Sequence, residues 1–170
     1  HPAISLRSAT DPNGNTVGGA VRVLELAEAT VSKNVLHTAS AGLAAEPNLV
    51  TRFVNNTVYS AGVGVFGAPG AIFSPLKNSI FKGNETAISM DAAAILGGSF
   101  NLFFENGVNF DGPSPANTDI FDDPLFADRA QLNFHLQGTS PGQDGSDPDT
   151  AFTDIDGSIN DLGPDGAPQG

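Results

Sequence analysis

Short runs of Val, Ile, Leu and Phe, broken every few residues by Gly, Asn, Ser or Pro, fill this chain. That pattern predicts many short strands with turns and leaves little room for helix. Only residues 21–31 approach helix length, and there Val21 and Val23 alternate in strand fashion. The runs also repeat: Asn34, Asn56, Asn78 and Asn101 stand 22, 22 and 23 residues apart, and a further step of 22 reaches Asp123. Two positions after these markers lie Leu36, Val58, Ile80, Phe103 and Leu125, an apolar column. Three positions after lie His37, Tyr59, Phe81, Phe104 and Phe126, and nine after lie Leu43, Val65, Ala87 and Phe110. A third strand precedes each marker, in 49–54, 71–76 and 92–100.

Three strands per repeat of about 22 residues predict an all-β fold, a right-handed parallel β-helix of about five coils. One coil alone cannot bury its apolar edge, whereas coils stacked at about 4.8 Å pile like side chains into a continuous core. In that frame Asn34, Asn56, Asn78, Asn101 and Asp123 form a structural ladder. Stacked side-chain amides bond from coil to coil, and Asn tolerates the left-handed backbone of a tight bend. The organisation expected is an N-terminal strand and linker over 1–19, the β-helix over 20–137, and an irregular, acidic, Asp/Gly/Pro-rich C-terminal cap over 138–170.

Charge narrows the partners. Seven Lys and Arg against nineteen Asp and Glu give −12, which disfavours nucleic acid and anionic lipid surfaces. No apolar run reaches the roughly 20 residues that span a bilayer, so no membrane insertion is expected. The chain has no cysteine, which removes disulfides and thiolate chemistry. It opens on His1 with neither Met nor a leader, as a processed or excised form does.

The phrases Phe-Val-Asn-Asn-Thr-Val-Tyr (53–59), Leu-Lys-Asn-Ser-Ile-Phe-Lys-Gly-Asn (76–84) and Phe-Asn-Leu-Phe-Phe-Glu-Asn (100–106) resemble the parallel β-helix repeat of extracellular carbohydrate-associated proteins. Asp123-Pro124-Leu125-Phe126-Ala127-Asp128, then Phe134-His135-Leu136, Thr139-Ser140-Pro141 and Asp154-Ile155-Asp156-Gly157-Ser158, resemble the closing block of bacterial, surface-anchored, pectate-lyase-like β-helix proteins. The resemblance spans about residues 30–163 and implies export to the cell surface or medium. The family pattern ends on an acidic, aromatic phrase, where this chain has Asn160-Asp161-Leu162-Gly163.

The β-helix hosts lyases, hydrolases, adhesins and shafts, so activity needs its own argument. A lyase needs clustered carboxylates for Ca²⁺ beside a basic residue. Lys77, Lys82, Glu85 and Asp91 share a coil, but the neighbouring coil offers only Arg52. The tandem pair Asp122-Asp123 would point to opposite faces of a strand, so neither is assigned catalysis. His1, His37 and His135 lack zinc-like spacing, and Gly62, Gly64, Gly67 and Gly70 read as corner glycines between strands, not a phosphate loop. No cofactor is required; Ca²⁺ is a candidate, through Asp154, Asp156 and Asp161 in a tail with seven Asp and no Lys or Arg over 140–170. Asn55 and Asn84 begin sequons and are candidate glycan acceptors.

Solenoid ends need caps. The tail is expected to cover the last coil, whereas the first residues carry only Ile4-Ser5-Leu6-Arg7 before the flexible 11–15. Ile4 and Leu6 are therefore candidates for an intersubunit strand that adds to a neighbouring copy. The expected function is a non-catalytic extracellular structural subunit that partners itself in a head-to-tail fibre or surface assembly. The competing expectation is a module that binds or degrades polysaccharide.

Overall fold

The computed structural model describes residues 8–10, 16–23, 28–37, 40–149, 153–154 and 157–166. It is an all-β parallel solenoid whose described residues include the short 3₁₀ turns Arg129–Gln131 and Gly163–Asp165. Sheet 1 contains β2 (Thr16–Val23), β5 (Ala41–Ala45), β8 (Val63–Gly67), β11 (Thr86–Met90) and β14 (Val108–Asp111). Sheet 2 contains β3 (Glu28–Ser32), β6 (Val50–Val54), β9 (Ile72–Lys77) and β12 (Ile95–Ser99). Sheet 3 contains β4 (Val35–His37), β7 (Thr57–Tyr59), β10 (Ile80–Lys82) and β13 (Leu102–Phe104). All pairings within these sets are parallel, so each coil is one strand from each sheet.

Four coils are complete and the expected fifth is only begun. From Asn101 the chain takes 18 residues, not 22, to bring Asp119 beside it. It skips sheet 2 and returns to sheet 3 through a single bridge, Ile120 to Leu102. At the other end β1 (Ser8–Thr10) turns back and pairs antiparallel with β2 of the same chain. Ile4 and Leu6 lie outside the described residues.

The register moves the third-coil member of each expected column by one residue. Between Thr51↔Phe73 and Phe53↔Leu76, Arg52 alone opposes Ser74 and Pro75. This bulge makes the second-to-third step 23 residues, so the third-coil partners fall one position later and the fourth-coil partners do not. The inner column of sheet 3 is therefore Leu36, Val58, Phe81 and Phe103, not Ile80 and Leu125. The outward column is His37, Tyr59, Lys82 and Phe104, and Phe81 lies in the core. In sheet 1, Ile88 rather than Ala87 joins Leu43, Val65 and Phe110. Rings continue the inner column: Phe53, Phe81 and Phe103 stack at 6.2 and 5.2 Å, and Phe121 lies on Phe103 at 5.7 Å.

Gly64 and Gly67 sit inside β8 rather than between strands. A Cβ on Gly64 would stand 2.4 Å from the Ala87 carbonyl oxygen of the next coil, so close coil approach excludes any side chain there.

The described part of the tail packs along the flank of the solenoid. β15 (Phe126–Asp128) and β16 (Asn133–Leu136) form an antiparallel hairpin. Phe126, Phe134 and Leu162 bury a second cluster with Ile80 and Leu102 on the outer side of sheet 3.

Candidate functional site

Two corners repeat one local grammar along the described coils, a left-handed residue followed in most coils by a hydrogen-bonding side chain. At the corner between sheets 2 and 3 the left-handed residues are Lys33, Asn55, Asn78 and Phe100, with φ of 54–56°. The next residues are Asn34, Asn56, Ser79 and Asn101. Asn34 donates its backbone N–H and side-chain amide to Asn56 Oδ1, at 3.0 and 3.2 Å. Asn56 N–H donates to Ser79 Oγ, Ser79 N–H to Asn101 Oδ1, and Asn101 N–H to Asp119 Oδ1. The third and fifth rungs are therefore Ser79 and Asp119, where the sequence pattern placed Asn78 and Asp123. Asn78 instead holds the tail: its Oδ1 accepts from Asp147 N–H and its carbonyl from Gly163 N–H. Burial pushes the Asp119 carboxyl up, against the pull of the N–H groups of Asn101 and Ala116.

A second ladder, at the corner after sheet 3, was missed. Ser60, Gly83 and Glu105 take positive φ. Asn84 Oδ1 accepts from Ala61 N–H at 2.9 Å, and Asn106 Oδ1 from Asn84 N–H at 3.0 Å. The spacing of Asn84 and Asn106, 22 residues, carried the signal. Both sequon asparagines are enclosed in the folded chain. Asn55 and Asn84 are buried, with 0% and 2% exposure, and Asn84 Nδ2 donates to Val58 O and Asn106 Oδ1.

Of the acidic candidates, Asp161 accepts from Asp144 N–H. Burial pushes its carboxyl up, the Asp144 bond opposes this, and the charges of Asp154, Asp165 and Asp144 add to the rise. Asp156 lies outside the described residues. Among the described residues no three acidic or histidine side chains converge as metal ligands.

Two basic side chains pair with later segments, Lys77 with the tail and Lys82 with the segment before the hairpin. Lys77 Nζ pairs with Asp147. Lys82 is 4% exposed; its Nζ lies 4.1 Å from the Phe104 ring centroid, 2.9 Å from Asp123 Oδ1 and 3.4 Å from Glu105 Oε2. Arg129 Nη1 reaches the same Glu105 oxygen at 3.7 Å. These residues, with Leu125, Phe126 and Gln137, line a cleft of about 280 Å³ between the coils and the hairpin. Desolvation acts to raise the Asp123 carboxyl, but the Lys82 bond, the Leu125 N–H and the charges of Lys82 and Arg129 together hold the group below its ordinary range. His135 Nδ1 pairs with Asp165, whose Oδ2 accepts from Leu136 N–H. His37 is exposed and stacks on Tyr59 at 5.2 Å. Arg52 and Glu85, expected neighbours of the two lysines, are exposed and outside the cleft.

The Lys77 latch has a defined pH response. Desolvation acts to raise Asp147, but the Lys77 bond and charge together with the Asp149 N–H outweigh it, and the carboxyl titrates below its ordinary value of 3.8. A lowered folded-state value stabilises the docked tail fully above the unfolded value, and that stability is lost as pH falls through the folded one. Limited proteolysis is expected to cut residues 140–165 faster at pH 3 than at pH 6. In Lys77→Met the tail is expected to be cut readily at both values, with this acid step gone.

No protein-family model, no curated protein and no solved structure matches this chain.

Proposed function

We propose that this chain is a non-catalytic structural β-helix module of an extracellular or cell-surface protein. The observation that carries the reading is where the polar side chains go. Two ladders of buried side chains cross the coils, and the two best-placed lysines are bound to carboxylates of the tail and of the segment before the hairpin. Satisfied buried polar networks rigidify a fold, and rigidity along an axis is what a shaft supplies. The surface location rests on the resemblance of residues 123–158 to the closing block of exported β-helix proteins.

The ends favour a self-contained module over a fibre built by strand exchange. β1 is paired within its own chain, and sheet 1 extends one strand beyond sheet 2 at each end. A copy stacked on either end would leave a gap in sheet 2, a device that blunts edge-to-edge growth. Electron microscopy of the full chain and of a chain lacking residues 1–15 is expected to show monodisperse particles for both. Filaments that vanish on truncation would instead establish strand exchange through the segment carrying Ile4 and Leu6. Incubation with neutral and acidic polysaccharides, with and without Ca²⁺, is expected to release neither new reducing ends nor unsaturated products; turnover abolished by Lys82→Met would replace this reading with a degrading enzyme.

A further inference from the structure

The cleft beside Lys82 is built differently from the rest of the surface. One cation is fixed, Lys82, buried to its ammonium against Phe104, and the half-exposed Arg129 reaches Glu105 at 3.7 Å. Its carboxylates are each anchored through one oxygen. Glu105 uses Oε2 for Lys82 and Arg129. Asp123 uses Oδ1 for Lys82 and for the Leu125 N–H. Gln137 spends Nε2 on the Phe126 carbonyl. Glu105 Oε1, Asp123 Oδ2 and Gln137 Oε1 therefore remain as oriented acceptors without a hydrogen-bond partner among the described residues, and the second Arg129 Nη as a donor.

Oriented acceptors beside a donor suit a ligand whose groups both donate and accept, which hydroxyls do and carboxylates do not. Leu125 and Phe126 add apolar surface for a C–H face. Two cations balance two anions in the cleft, while the chain as a whole carries −12, so an anionic ligand meets repulsion and an uncharged one does not. The cleft, about 280 Å³, lies at the small end of ligand sites, which limits it to about one ring. We propose that it binds an uncharged saccharide, holding one pyranose through adjacent hydroxyls. Because the ion pairs pre-orient the acceptors, little ordering is needed on binding.

The test uses the full chain on an array of neutral and acidic glycans, followed by saturation-transfer NMR titration of the best neutral ligand. Glu105→Gln and Gln137→Ala change exposed side chains, and thermal melts establish that both remain folded. The expected result is retention on neutral glycans, none on uronates, and affinity at least tenfold weaker in each variant at an unchanged melting temperature. Failure to retain any neutral glycan, a preference for uronates, or equal retention by the double variant would overturn the proposal. Its failure leaves the structural reading standing, and turnover of a bound glycan would remove that reading while leaving the site.

Discussion

Asn56→Ala is expected to cost about 3 kcal/mol of folding stability, against about 1 kcal/mol for Asn78→Ala, by denaturant unfolding. The two asparagines occupy matching places in the sequence repeat but different ones in the fold. Asn56 is fully buried, and its Nδ2 donates to the carbonyls of Val31 and Val54 at 2.9 and 3.0 Å while its Oδ1 receives Asn34. Alanine leaves both carbonyls without that donor, and an unpaired buried group costs roughly 1–3 kcal/mol. Asn78 contributes only one accepted bond from the tail through its side chain. Asn56→Asp sharpens the contrast. A carboxylate facing two carbonyl oxygens is disfavoured in its charged form, so its folded-state pKa is raised and the loss of stability grows as pH rises from 3 to 7. Equal costs for the alanine variants at positions 56 and 78 would mean that the sequence spacing, and not the bulged register, describes the ladder.

That difference shows what the chain reveals unaided. Coil length and the three-strand turn are legible because stacked coils must repeat their apolar positions; the strands expected in 49–54, 71–76 and 92–100 became β6, β9 and β12. Register is less legible, because one inserted residue moves every later side chain by one position. The insertion at Ser74-Pro75 precedes Asn78, and an asparagine happens to occupy the left-handed position next to the true rung, Ser79. The spacing of 22 thus persisted through the wrong column. Positive φ at Phe100 and Glu105 could not be anticipated either, since neither residue favours it. The cleft was hidden for another reason. Lys82 was visible as a charge in the same coil as Glu85, but its partners come from the next coil, Glu105, and from 41 residues away, Asp123. Only docking of the hairpin brings them together.

Phe81→Ala is expected to have the largest effect on stability, about 4 kcal/mol, within the range for buried aromatic truncations. Phe104→Ala, one strand later on the outer side, is expected to cost well under half as much. Phe81 has no exposure and stacks with Phe103 at 5.2 Å and an interplanar angle of 7°, with Phe53 on its other side at 6.2 Å. Its Cδ1 also stands 3.0 Å from where a Cβ on Gly64 would be, so it fills the core across to sheet 1. In most cores a cavity shrinks as neighbours relax into it. Here the backbone above and below is held by parallel ladders on both sides of β10 and by the amide columns at its two ends, so coils cannot close over the void. Neighbours in a solenoid also depend on one another for burial. A hole in the third of four coils therefore separates the second coil from the fourth. Unfolding of Phe81→Ala is expected to lose cooperativity, with the fourth coil and the hairpin docked on it exchanging amide hydrogens before the first two coils. A two-state transition with uniform exchange and a cost below about 1.5 kcal/mol would place Phe81 on the outside, where the unbroken 22-residue spacing puts it.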